Sequence, residues 1–79
     1  MELEKIRHDI DVIDDELLTL FLKRMEAVKS VVEFKKETGK AIEDRSREDE
    51  ILSRLSEKSG DEFRSYMETL FSTILELSR

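Results

Sequence analysis

Stepping alternately by three and four from Leu3, the chain lands on Leu3, Ile6, Ile10, Ile13, Leu17, Leu20, Arg24, Ala27, Val31 and Phe34. Nine of these ten positions are apolar, a sustained heptad seam that predicts one amphipathic helix. Leu18, Phe21, Met25, Val28 and Val32 broaden the stripe. Neither glycine nor proline interrupts it before Gly39, a residue suited to the left-handed turn that ends a helix. The pattern predicts a helix over about 3–38, roughly 50–55 Å long at 1.5 Å per residue.

A globule of this chain's size has a radius of gyration of about 12 Å. The two shorter helices that follow cannot cover such a rod end to end, whereas a second chain can. A simple coiled coil is disfavoured, because two amphipathic segments follow Gly39. After a short loop over residues 39–43, the second helix is expected to start near Asp44 or Ser46, with Ser46 and Asp49 resembling a capping box in acidic form. Its stripe is Ile51, Leu52 and Leu55, and it should stop near Gly60. Asp61 is the expected N-cap of a third helix, whose stripe is Phe63, Met67, Leu70, Ile74 and Leu77, with Tyr66, Phe71 and Leu75 beside it. The fold class is therefore all-α: a single domain over 1–79, with helices about 3–38, 45–58 and 61–78, assembled as an intertwined helical homodimer.

Composition narrows the function. The 79 residues allow one domain, with a core that is marginal without help from a second chain. There is no cysteine, which removes disulfides and thiolate metal sites, and the one histidine, His8, receives no role. No metal or cofactor is expected. A net charge of −6 with 43% charged residues argues against a general nucleic-acid binder, though not against a local basic pocket. No apolar run is long enough for a membrane span, and the opening residues match neither a signal nor a transit peptide. A soluble cytoplasmic chain is expected.

Arg24 interrupts the seam. A lone guanidinium is costly to bury unless paired, so Arg24 is a register-setting polar residue, an arginine that snorkels outward, or a ligand contact. Arg7 and Lys35 are four heptads apart and lie one step around from it. Arg24 and Lys35 are separated by about 16 Å along the axis, a span two long side chains can close around a small dianion. Arg7 is about 25 Å from Arg24, too far for one ligand within one chain but within reach across an antiparallel dimer. Arg47 and Glu48 precede Ile51, Leu52 and Leu55 by helical spacings and so point toward the apolar stripe, with Asp44 one turn before Glu48. Helix-start electrostatics is the plainer account of these three. Ser78, four residues after Ile74, places a hydroxyl on the inner stripe of the third helix.

The ordered set is Ile-Arg-x-x-Ile-Asp-x-Ile-Asp at 6–14, Arg24 in Leu-x-Lys-Arg-Met, Lys35 in Phe-Lys-Lys, Asp-Arg-Ser-Arg-Glu at 44–48, and Leu-Phe-x-x-Ile-x-x-x-Ser at the end. Over essentially the whole chain it resembles the all-helical class of chorismate mutase. That resemblance implies a three-helix protomer, an intertwined homodimer and the pericyclic conversion of chorismate to prephenate in aromatic amino acid biosynthesis. It implies that Arg24 and the partner's Arg7 bind substrate carboxylates and that Lys35 donates to the ether oxygen. Arg47 would extend the cationic wall, Asp44 and Glu48 would lie near the substrate hydroxyl and ring, and Ser78 would contact a carboxylate. Lys35 and Glu48 are the expected catalytic residues, Glu48 as a neutral acid with a raised pKa in a dry pocket. Such a reaction needs no nucleophile or proton relay. It needs a flexible dianion held compact, and fixed positive charge where the ether oxygen turns negative.

The family usually places a glutamine or glutamate one turn beyond the Ser78 position, as a second donor to the ether oxygen, and the sequence stops at Arg79. Either the domain is truncated or this member lacks that donor, an engineered or minimised mutase being compatible with the same ending, and reduced activity is expected, since one such donor is worth about 10²–10³ in rate. The alternatives are an isochorismate-pyruvate lyase on the same fold and a non-catalytic helical dimerisation or regulatory module. Asp44 and Glu48 favour the mutase.

Overall fold

The computed structural model describes residues 2–39 and 44–79, and among these the regular structure is all helix: α1 (Leu3–Thr38), α2 (Arg45–Ser59) and α3 (Arg64–Leu77). The all-α class and the three helices stand as expected. Residues 40–43 of the expected loop lie outside the described residues. The chain divides into two compact units, the first ending at Phe34 and the second beginning at Lys35.

α1 is one uninterrupted helix of 36 residues. Glu4 in its first turn and Lys35 and Lys36 in its last complement the helix dipole. Gly39 follows with φ +72°, the left-handed conformation that ends a helix cheaply only at glycine. No residue of α1 is buried. Ile10, Ile13, Leu17, Leu20, Val31 and Phe34 of the seam are exposed. Phe21, Met25, Val28 and Val32, the residues that broaden the stripe, are half-buried. Each large apolar side chain left in water forgoes about 1.5–3 kcal/mol. Among the described residues, no helix is long and apolar enough to cross a membrane.

Within the second unit, α2 and α3 form an antiparallel hairpin. Arg64 at the start of α3 donates from Nε to the Ser56 carbonyl near the end of α2 (3.2 Å), and Arg79 just beyond α3 reaches Glu48 in the first turn of α2. Its core is Ile51 and Leu75, 8% and 5% exposed, flanked by half-buried Leu52, Leu55, Met67, Phe71 and Ile74. Phe63, Tyr66, Leu70 and Leu77 stay exposed, so the inward stripe of α3 runs one step around from the one the spacing suggested.

α2 starts within the expected bounds, at Arg45, though not on the expected capping box, and α3 starts later than expected. Asp44, not Ser46, caps α2: its Oδ1 accepts the Arg47 N–H at 3.0 Å from an extended backbone. α3 begins three residues after Asp61, with Phe63 at the cap position and no side-chain cap. Asp61 is instead engaged by the Arg64 guanidinium at 2.7 Å. With that charge-assisted pair and the Ser56 carbonyl both served by Arg64, residues 61–63 form a turn. Gly60, at φ +76°, ends α2 as expected.

Candidate functional site

α1 carries many charged side chains, and nearly all are exposed. Arg24 and Lys35 are half-buried, alone among the charged residues of that helix. They lie eleven residues apart, close to three full turns, and so share the face of Phe21, Met25, Val28 and Val32. The seam interruption at Arg24 thus marks a real difference from its neighbours. Arg7 is exposed and pairs with Glu4 at 3.4 Å.

The remaining expected residues gather at one end of the hairpin. Asp44, Arg47 and Glu48 occupy the start of α2, and Ser78 is the C-cap of α3. Ser78 is half-buried, and its hydroxyl donates to the Ile74 carbonyl at 2.6 Å. Glu48 is half-buried beside Ile51 and Leu52, as its spacing suggested. Arg47 departs from that reading: it is exposed, and its guanidinium engages Glu50 at 2.7 Å one turn on. The open hollows on the two units lie elsewhere. One is lined by Asp15, Glu16, Thr19 and Leu20, another by Leu52, Ser53, Ser56, Glu57, Glu68 and Ser72. Neither lining contains a cation, so neither suits a dianion.

Glu48 corrects an expectation. Its pKa lies below the ordinary carboxylate value, chiefly because the Arg79 side chain hydrogen-bonds to it. Desolvation is the next largest influence and pushes the other way, as does the Asp44 charge, while the charges of Arg79 and Arg45 lower it further. Glu48 is therefore an ionised acceptor at neutral pH and not the neutral acid that a dry pocket would have made. A carboxylate whose folded pKa lies below its unfolded value stabilises the fold fully above the unfolded value, and that stabilisation is lost as pH falls through the folded one.

Arg79 itself was absent from the sequence-derived set. Its contact with Glu48 spans 31 residues of sequence, and neither periodicity nor any local motif signals a pairing at that distance.

A family model described as chorismate mutase type II matches residues 6–79. No curated protein and no solved structure matches the chain.

Proposed function

The chain belongs to the chorismate mutase type II family, a family of isomerases, and on that premise we propose that it converts chorismate to prephenate in aromatic amino acid biosynthesis in the cytoplasm. The observation that carries the reading is the family match over residues 6–79. The half-burial of Arg24 and Lys35 on one face of α1 supports the assignment of roles within it.

The active form is an intertwined homodimer, and the exposed apolar seam of α1 supports this. Arg24 and the partner's Arg7 take the two carboxylates, for which the planar guanidinium fork is suited. Lys35 places a compact charge at the ether oxygen, where negative charge develops as the carbon–oxygen bond breaks. Arg47 adds to the positive wall, and the Ser78 hydroxyl contacts a carboxylate. Asp44 and Glu48 accept from the substrate hydroxyl, Glu48 as its carboxylate. Arg7 and Arg47 now hold exposed partners, Glu4 and Glu50. Exchanging such pairs for substrate costs little, because exposed ion pairs contribute only about 0–1 kcal/mol.

No bond to the protein forms in this mechanism. The protein holds the dianion in its compact conformer, which supplies the entropic part of the acceleration. Fixed cations then stabilise the polarised transition state. The test is incubation of the full chain with chorismate, following its loss and prephenate formation, together with sedimentation to read the oligomer. Turnover by a dimer is the expected result. Salicylate and pyruvate from isochorismate, or no turnover of either substrate, would overturn the assignment.

A further inference from the structure

The ion pair between Glu48 and Arg79 differs in kind from five others among the described residues. Lys5–Asp9, Arg7–Glu4, Lys29–Glu26, Arg47–Glu50 and Arg64–Asp61 each join residues three or four apart. Glu48–Arg79 joins the first turn of α2 to the residue after the α3 cap. It is a fork: Nη2 donates to Oε1 at 2.9 Å and Nε to Oε2 at 3.3 Å. The Glu48 side chain is only 17% exposed, so its orientation is fixed by packing as well as by the fork.

We infer that Arg79 is a positioning residue for the mutase reaction, holding the Glu48 carboxylate in one orientation as an acceptor for the substrate hydroxyl. The inference rests on the reading above, in which Glu48 meets the substrate. A carboxylate offers about four lone-pair sites, and the fork occupies two. One acceptor direction on each oxygen is left for a hydroxyl donor. The groups acting on Glu48 are Arg79 from the end of α3, and Asp44 and Arg45 from the start of α2. Partial burial and the Asp44 charge both favour a protonated Glu48, which would present a donor toward a hydroxyl that must itself donate. The Arg79 hydrogen bond is the largest influence in the opposite direction. Arg79 thus selects the acceptor form and aims it, without touching the reacting atoms.

The test uses the full chain in five forms: unaltered, Arg79→Gln, Arg79→Lys, and Glu48→Gln with and without Arg79→Gln. Carbon-13 NMR of the Glu48 carboxyl is followed against pH, and kcat and KM for prephenate formation are measured over the same range. The unaltered Glu48 should titrate below the ordinary carboxylate range, Arg79→Gln should raise its midpoint, and Arg79→Lys should recover part of the displacement. Arg79→Gln should lower kcat/KM about tenfold, the worth of a hydrogen bond to a charged group, and move the acidic limb of the rate profile upward. In the Glu48→Gln background the Arg79→Gln change should cost almost nothing more, because both act through one contact. If Arg79→Gln fails to fold, the Arg79→Lys titration and rate profile decide alone. Turnover with a Glu48 midpoint or rate profile indifferent to Arg79, or an equal loss in both backgrounds, overturns the positioning role. A displaced Glu48 midpoint without any turnover overturns the mutase reading itself, and the positioning role with it.

Discussion

The first unit and the α2–α3 hairpin satisfy similar amphipathic patterns in opposite ways. The hairpin closes on itself: Ile51 and Leu75 are buried, and Arg64 and Arg79 tie its two ends. α1 buries none of its residues, and the large apolar side chains of its seam from Ile10 to Phe34 are exposed. A stripe that continuous on a single helix finds its stabilisation in another surface, which is why the homodimer reading attaches to α1 and not to the hairpin. Chemistry divides along the same line. α1 contributes the half-buried cations Arg24 and Lys35, while the hairpin contributes groups already fixed by local hydrogen bonds, Asp44, Glu48 and Ser78.

That division makes its strongest demand on activity. On the proposed mechanism, replacing Lys35 by alanine removes charge from the atom where negative charge develops, so kcat/KM for prephenate formation should fall about 10²–10³-fold. Ser78→Ala removes one neutral donor and should cost about 3–10-fold, the worth of an ordinary hydrogen bond. Steady-state kinetics on both variants checks this. A Ser78→Ala loss as large as that of Lys35→Ala would break the comparison, because the hairpin would then carry transition-state charge as well.

The next demand concerns association. Leu17→Asp places a carboxylate on the exposed seam. In an isolated helix such a surface change stays within about 0.5 kcal/mol. In a dimer it leaves a charge without water, and the dissociation constant should rise by about 100-fold or more, read by sedimentation over a concentration series. Ile51→Ala, inside the hairpin, should cost about 2 kcal/mol or more with unaltered association. Thermal melts at several protein concentrations separate the two, since the midpoint of a dimer follows its concentration and only the Leu17 variant should depart from the concentration dependence of the unaltered chain. An unmoved dissociation constant for Leu17→Asp would remove the seam from the interface.

Much of this architecture is legible in the sequence because it is local. Gly39 and Gly60 are the only glycines, and both sit at positive φ at helix ends. Arg24 stands out because every other residue in its walk is apolar, and it is indeed among the few half-buried charges. The misreadings come where one side chain had several partners of similar worth. Ser46 and Asp44 are both good caps, and only backbone geometry decides between them. Asp61 looked like a cap until Arg64 engaged it. Arg47 had the right spacing for the inner face, yet Glu50 one turn on draws it outward. Arg79 and the lowered pKa of Glu48 follow from a contact across 31 residues, which no periodicity encodes.

Smaller effects sharpen the contrast within the hairpin. Asp44→Ala removes the cap bond to the Arg47 N–H and should destabilise by about 1 kcal/mol in urea unfolding. Asp44→Ser keeps a capping oxygen while deleting the carboxylate. It should restore most of the stability and leave any loss of activity in place, which separates the structural from the substrate-facing role of one residue. Recovery of both by serine would confine Asp44 to capping.

The smallest expected effect tests the outer face of α1. Lys29 and Glu26 pair at 3.2 Å with both side chains more than 70% exposed. A pair of that kind, one turn apart on a helix, contributes about 0.3–0.5 kcal/mol and weakens with salt. Lys29→Ala should therefore change stability by no more than that, with the difference shrinking between low salt and about 1 M salt, where the screening length falls to about 3 Å. The value lies in the sign of a failure. A loss well above 1 kcal/mol, insensitive to salt, would mean that this face of α1 is shielded from water in the assembled protein. The exposed seam would then be only one of two surfaces that a second chain covers, and α1 would be enclosed on more than one side.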